Sequence, residues 1–121
     1  WPLYPGTGLR EEKGKGNILN VPLDPGAGDE EIVRAFQEEI LPALDKFQPE
    51  MILISAGFDA HRNDPLSYLQ VTEEGYRRLT ELILEPAGRH ASGRLVSVLE
   101  GGYSLTGLAS AAAAHVKALR E

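Results

Sequence analysis

Apolar residues fall into two kinds of pattern along this chain: short unbroken runs, and stripes that recur every three or four positions. "MILIS" (51–55) and "RLVSVLE" (94–100) are runs of the first kind. Such runs suit strands buried on both faces of a parallel sheet. "NILNVPL" (17–23) is shorter, β-branched and stopped by Pro22, and it predicts a further strand. Between the runs lie the stripes. Ile32, Phe36, Ile40, Leu44 and Phe47 mark a helix to about residue 48. Asp29 is its expected N-cap, and Glu30 and Glu31 suit the positive end of the dipole. Pro42 should kink this helix or divide it in two. A second helix opens at Thr72-Glu73-Glu74, carries Tyr76, Leu79, Leu82 and Ile83 on one side, and is expected to end before Pro86. Residues 87–93 then read as a turn, and an Ala-rich helix over about 104–120 shows Leu105, Leu108, Ala112, Val116 and Leu119 as its stripe.

The order is β-α-β-α-β-α, an α/β arrangement with parallel strands joined by helical crossovers. Sites in such sheets form beyond the C-terminal ends of the strands. Two loops qualify, one carrying Asp59 and one carrying Tyr103. Three strands make a thin sheet for burial on both faces. The first 16 residues, "WPLYPGTGLREEKGKG", show no helix or strand period. Both features suggest a piece of a larger domain.

Composition narrows the class. A net charge of −6 and a pI near 5.1 argue against a nucleic-acid-binding surface. The absence of cysteine removes disulfides, thiolate ligands and thiol nucleophiles. No apolar run approaches the roughly 18 residues of a membrane span, and no signal peptide is visible. A soluble cytoplasmic protein is expected, with no membrane and no nucleic-acid partner.

Candidate chemistry concentrates in two blocks. In "ISAGFDAHRNDPL" (54–66), Asp59 stands at a strand end, either as a carboxylate ligand for a divalent ion or as a cap on the turn. His61 reads as a surface residue or one standing behind a ligand, because groups two positions apart converge only in a suitable backbone. Asp64-Pro65 reads as a turn, with Asp64 bonding loop amides. His90 is expected in solvent, and His115 exposed or partly packed on the last helix. In "LEGGYSL" (99–105), Gly101 and Gly102 allow close backbone approach. Tyr103 either donates a hydrogen bond to a developing oxyanion or simply packs after a glycine turn. Neither GxGxxG nor GxxxxGK[ST] occurs, so a phosphate loop is a poor reading.

"YPGTG" (4–8), "SAGFDAHRNDPL" (55–66) and "LEGGYSL" (99–105), in this order, resemble the C-terminal part of the histone deacetylase family. That family includes acetylpolyamine amidohydrolases and acetoin-utilisation deacetylases, and "AGFD" with "EGGY" lies nearer its class II and bacterial branch. The resemblance implies the three-layer parallel sheet of the arginase/deacetylase fold. Residues 1–121 would be the C-terminal part of one deacetylase domain, with 1–16 an active-site loop and 17–121 the β-α-β-α-β-α part. It also implies zinc-dependent hydrolysis of acetyl-amide bonds, with acetyl-lysine or an acetylpolyamine as substrate. On that resemblance Asp59 is a zinc ligand and Tyr103 the catalytic phenol. Gly101 is the glycine beside the acetyl group, Tyr4 and Leu66 line the substrate tunnel, and Asp64 is a structural carboxylate. His61 matches no family ligand. The two other zinc ligands, the tandem histidines of proton transfer and any monovalent-cation site are implied upstream of residue 1. The isolated chain is then expected to be inactive. The alternative is a non-catalytic module that associates with a partner chain or with itself. An arginase-like two-metal centre fits these blocks poorly.

Overall fold

Pro42 shapes the first helical stretch of the computed structural model, which describes residues 4–121. Trp1, Pro2 and Leu3, the start of the expected 1–16 loop, lie outside the described residues. Helix α1 (Asp29–Ala35) runs into a π-helical turn (Phe36–Ile40) and then α2 (Leu41–Phe47). The Leu41 amide bonds back to Phe36. A proline has no N–H and its ring crowds the carbonyl four residues earlier, and the wider turn before Pro42 relieves that crowding. The N-cap is Gly28, not Asp29 as expected, and the Gly28 amide donates to Glu31 at 2.8 Å. Asp29 is engaged elsewhere: its carboxylate accepts from the Thr72 amide at 2.7 Å and hydroxyl at 2.5 Å.

Two strands form, β1 (Ile52–Ala56) and β2 (Leu95–Leu99), paired in parallel from Ile52–Leu95 to Ala56–Leu99. The strand expected over 17–23 does not form. A strand exists only where a neighbour completes its ladder, and among the described residues none runs alongside this one. Ile18 and Leu19 stay about half exposed. The Asn20 side chain pins the segment to the carbonyls of Leu9 and Glu12 instead, at 2.9 and 3.3 Å.

Helix α3 (Glu73–Ala91) begins as expected, with the Thr72 hydroxyl capping Gly75 at 3.3 Å. It does not stop before Pro86; it runs through it and ends at Ser92, which is left-handed at φ 53°. Pro86 is fully buried, so apolar burial offsets the one helical bond it cannot make. The expected turn over 87–93 is therefore mostly helix. Helix α4 (Leu105–Arg120) follows β2. Its buried row is Gly107, Ala111, His115 and Ala118, whereas Leu105 and Val116 of the expected stripe are exposed. Small residues on both helices (Ala87 and Ala91 on α3) let the two backbones approach closely.

Phe58, in the loop after β1, lies at the centre of the core with Ala56, Val71, Tyr76 and Ala111. Its ring centroid is 5.1 Å from Tyr76 and 5.7 Å from His115. One sheet face, with Ile52, Ile54 and Ala56, is covered by this packing. The other presents Leu53, Val96 and Val98 to solvent. Sheet and helices make two layers, and the expected third layer is not among the described residues. Among those residues no helix is long and apolar enough to cross a membrane.

Candidate active site

The parallel ladder continues past the ends of both strands. Glu100 donates to the Ala56 carbonyl at 3.0 Å, and Phe58 donates to the Gly101 carbonyl at 2.8 Å. These two bonds lay the Asp59 loop beside the Gly101-Gly102 turn. A Cβ on Gly101 would fall 2.7 Å from Asp59 Oδ2, and one on Gly57 would fall 2.8 Å from Oδ1. Glycine at both positions is what allows the Asp59 carboxylate to sit there.

Asp59 itself is half-buried and, among the described residues, takes part in no hydrogen bond or ion pair. The turn-cap reading has no bond to support it. A carboxylate with its lone pairs uncommitted at a strand end has the donor chemistry of a cation ligand. No group of three or more His, Asp or Glu able to hold a metal occurs among the described residues. The described residues therefore offer at most one carboxylate toward a metal centre of the kind that usually takes three protein ligands.

Asp64 ties this loop to the next. Its Oδ1 accepts from the Leu66 amide at 2.9 Å, and its Oδ2 accepts from the Tyr103 amide at 2.8 Å. The first bond is the turn expected from Asp64-Pro65. The second joins two loops far apart in sequence. Gly102 sits at φ 139°, with Leu108 Cδ1 only 2.9 Å from where a Cβ would be. Only glycine holds that conformation without strain, and it delivers the Tyr103 ring to the surface, 58% exposed. The reading of Tyr103 as a packed residue does not hold.

His61 is fully buried, which removes the expected surface position and leaves the other one, behind the Asp59 loop. Its Nδ1 accepts from the Asn63 amide at 3.1 Å, which leaves Nε2–H to donate to Glu73 at 3.0 Å. That bond holds the Glu73 carboxyl below the usual carboxylate range. A Cβ on Gly107 would meet His61 Nδ1 at 2.8 Å. The imidazole is thus wedged between the first turns of α3 and α4, where it braces the Asp59 loop. Sequence reasoning missed this brace, although the acid at the start of the α3 pattern was its visible half.

His115 is buried too, not exposed. Thr80 Oγ1 spends its proton on the Tyr76 carbonyl at 2.7 Å, so His115 Nδ1–H donates to Thr80, also at 2.7 Å. Nε2 then accepts from the Ser97 hydroxyl at 2.8 Å. Burial lowers the His115 pKa, which agrees with this neutral tautomer. Burial likewise raises the Tyr76 pKa, and among the described residues no partner meets its hydroxyl in hydrogen-bonding geometry. His90 lies in the last turn of α3 with its side chain mostly covered, paired with Asp45 at 2.9 Å. The helix's passage through Pro86 carries it there instead of into solvent.

Of the candidate site residues, the structure brings Asp59, Gly101 and Tyr103 together, with Leu66 tethered through Asp64 and 60% exposed. Tyr4 is not drawn in; its side chain is 99% exposed.

A histone deacetylase domain profile matches residues 1–119. The chain is 47% identical over 110 residues to a probable deacetylase of Archaeoglobus fulgidus, covering 88% of this chain and 31% of that protein. It is 45% identical over 104 residues to a histone deacetylase-like amidohydrolase of Pseudomonas aeruginosa, covering 85% of this chain and 27% of that one. The crystal structure of the HDA15 HD domain superimposes with a TM-score of 0.87 at 41% identity, over 96% of this chain and 33% of that chain. The described sheet and helices are accordingly part of the arginase/deacetylase fold, and the chain spans only 27% to 33% of the length of these three relatives. With the profile match running almost end to end, this chain belongs to the histone deacetylase family.

Proposed function

We propose that the complete protein carrying this segment is a zinc-dependent amidohydrolase that removes acetyl groups from acetyl-lysine, acetylpolyamines or similar amides. The observation that carries the reading is the uncommitted Asp59 carboxylate, cradled by Gly57 and Gly101 beside the exposed Tyr103. Bound zinc would polarise the acetyl carbonyl and lower the pKa of water. Asp59 supplies one ligand. Tyr103 donates its phenolic hydrogen bond to the developing oxyanion. Gly101 leaves room beside the acetyl group, and Leu66 forms an apolar wall for the substrate's alkyl chain, which the fully exposed Tyr4 would join only with the rest of the domain in place. Two further ligands and the histidines that move protons are assigned to the rest of the deacetylase domain. Residues 1–121 alone are therefore inactive in this reading. The bare face of Leu53, Val96 and Val98 is where that remainder would pack.

In the complete protein, Tyr103→Phe should lower kcat by about 10²- to 10³-fold with KM little changed, as for loss of an oxyanion donor. Undiminished hydrolysis of an acetyl-lysine reporter by that variant would overturn the assignment. Calorimetric titration of the 121-residue chain with zinc should show only weak binding. Tight one-to-one binding by this chain alone would contradict the one-ligand reading.

A further inference from the structure

Asp64 is 6% exposed, yet among the described residues its carboxylate takes part in no ion pair. Its two oxygens hold backbone amides from different loops. The Leu66 bond closes a local turn, which many aspartates do. The Tyr103 bond is different, because it spans 39 positions and lands on the residue read above as the oxyanion donor. The chemistry needed here is acceptor-only on both sides. An asparagine of the same shape would turn its NH₂ toward one of the two N–H groups. The backbone entering Tyr103 is also hemmed in by α4, since a Cβ on Gly102 would fall 2.9 Å from Leu108 Cδ1. The turn is thus constrained both by α4 and by the Asp64 carboxylate.

We propose that Asp64 is a positioning residue for Tyr103, fixing the direction from which the phenol reaches the acetyl group. The same carboxylate, through Leu66, fixes the wall of the entrance, so both parts of the site share one buried anchor. The proposal rests on the reading of Tyr103 as oxyanion donor, and its test separates the two. In the complete protein, Asp64→Asn and Tyr103→Phe are made singly and together, and kcat, KM and zinc content are measured. Asp64→Asn should lower kcat about 10- to 100-fold, the scale of a small misplacement, with zinc content unchanged. Once Tyr103→Phe is present, the same change should cost less than about twofold, because the two act as one unit. Equal losses in both backgrounds would overturn the proposal.

Amide hydrogen exchange gives a readout independent of activity. Asp64→Asn should speed exchange at the Tyr103 amide by about tenfold, roughly the loss of one hydrogen bond, while Ala111 and Ala112 in α4 stay protected. Acceleration spread evenly along α4 would mean a merely structural role and would overturn it too. If Asp64→Asn does not fold, Asp64→Ser, which keeps one acceptor, is read in the same two ways. If Tyr103→Phe leaves activity intact, the deacetylase reading fails, and the exchange result still decides Asp64.

Discussion

Two irregular segments of this molecule are expected to face the same substrate, and they are built in opposite ways. The loop over 57–71 buries Phe58, His61, Asp64 and Val71, and most of its backbone amides and the side chains of His61 and Asp64 are hydrogen-bonded. It is bonded to the β2 exit through Gly101 and Tyr103, to α3 through Glu73, and back on itself where Val71 meets Ala60 at 3.1 Å. The segment over 4–23 exposes Tyr4, Leu9, Ile18 and Leu19. A pair between Arg10 and Glu39, at 2.5 Å on the surface, ties it to the first helical stretch, and such pairs contribute little. Lack of regular structure is therefore no guide to rigidity. The first loop is preorganised by burying its own side chains; the second presents apolar groups that only another surface could cover.

The comparison breaks most visibly at Phe58. Phe58→Ala should cost about 3–5 kcal/mol, as for other buried aromatics, read from the urea midpoint of the complete protein. Leu9→Ala in the exposed segment should cost less than about 1 kcal/mol. Similar costs for both would erase the distinction. Gly75→Ala should come next, at about 1–3 kcal/mol for overpacking. Its new methyl would strike the Asp29 carboxylate and lie 2.9 Å from Val71 Cγ1, so Asp29 would have to release Thr72. A neutral effect on thermal stability would show that the Asp29–Thr72 link does not anchor the loop's far end.

The smallest effect concerns pH. His115 is held neutral by burial, with its pKa lowered, whereas an unfolded histidine titrates near about 6.5. The unfolded chain therefore binds more protons in the window between the two values. Stability present above about pH 6.5 should fall as pH drops through that window, then level off below the folded value. His115→Gln should flatten this part of a melting-temperature-against-pH curve, although it lowers stability throughout. An unchanged slope would mean that other groups govern it.

Parts of this were legible in the chain itself. Apolar runs located β1 and β2, Thr72 marked the start of α3, and Asp59 with Tyr103 fell at strand ends, where parallel sheets build sites. The failures share a cause, since each turned on tertiary partners that local pattern cannot show. The run at 17–23 has strand composition but, among the described residues, no neighbour to pair with. Pro86 reads as a stop until its ring is seen buried in the α3 face. His61 and His115 looked peripheral because their partners, Glu73, Thr80 and Ser97, lie on other elements. Asp64 was visible as a turn former, but its hold on Tyr103 exists only once both loops fold.

The central claim, that Asp59 is a metal ligand of a hydrolytic site, is tested most directly by metal content. In the complete protein, Asp59→Ala should lose its stoichiometric zinc and, with it, hydrolysis of an acetyl-lysine reporter, while the folded signal persists. Full zinc content and normal hydrolysis in that variant would contradict the account.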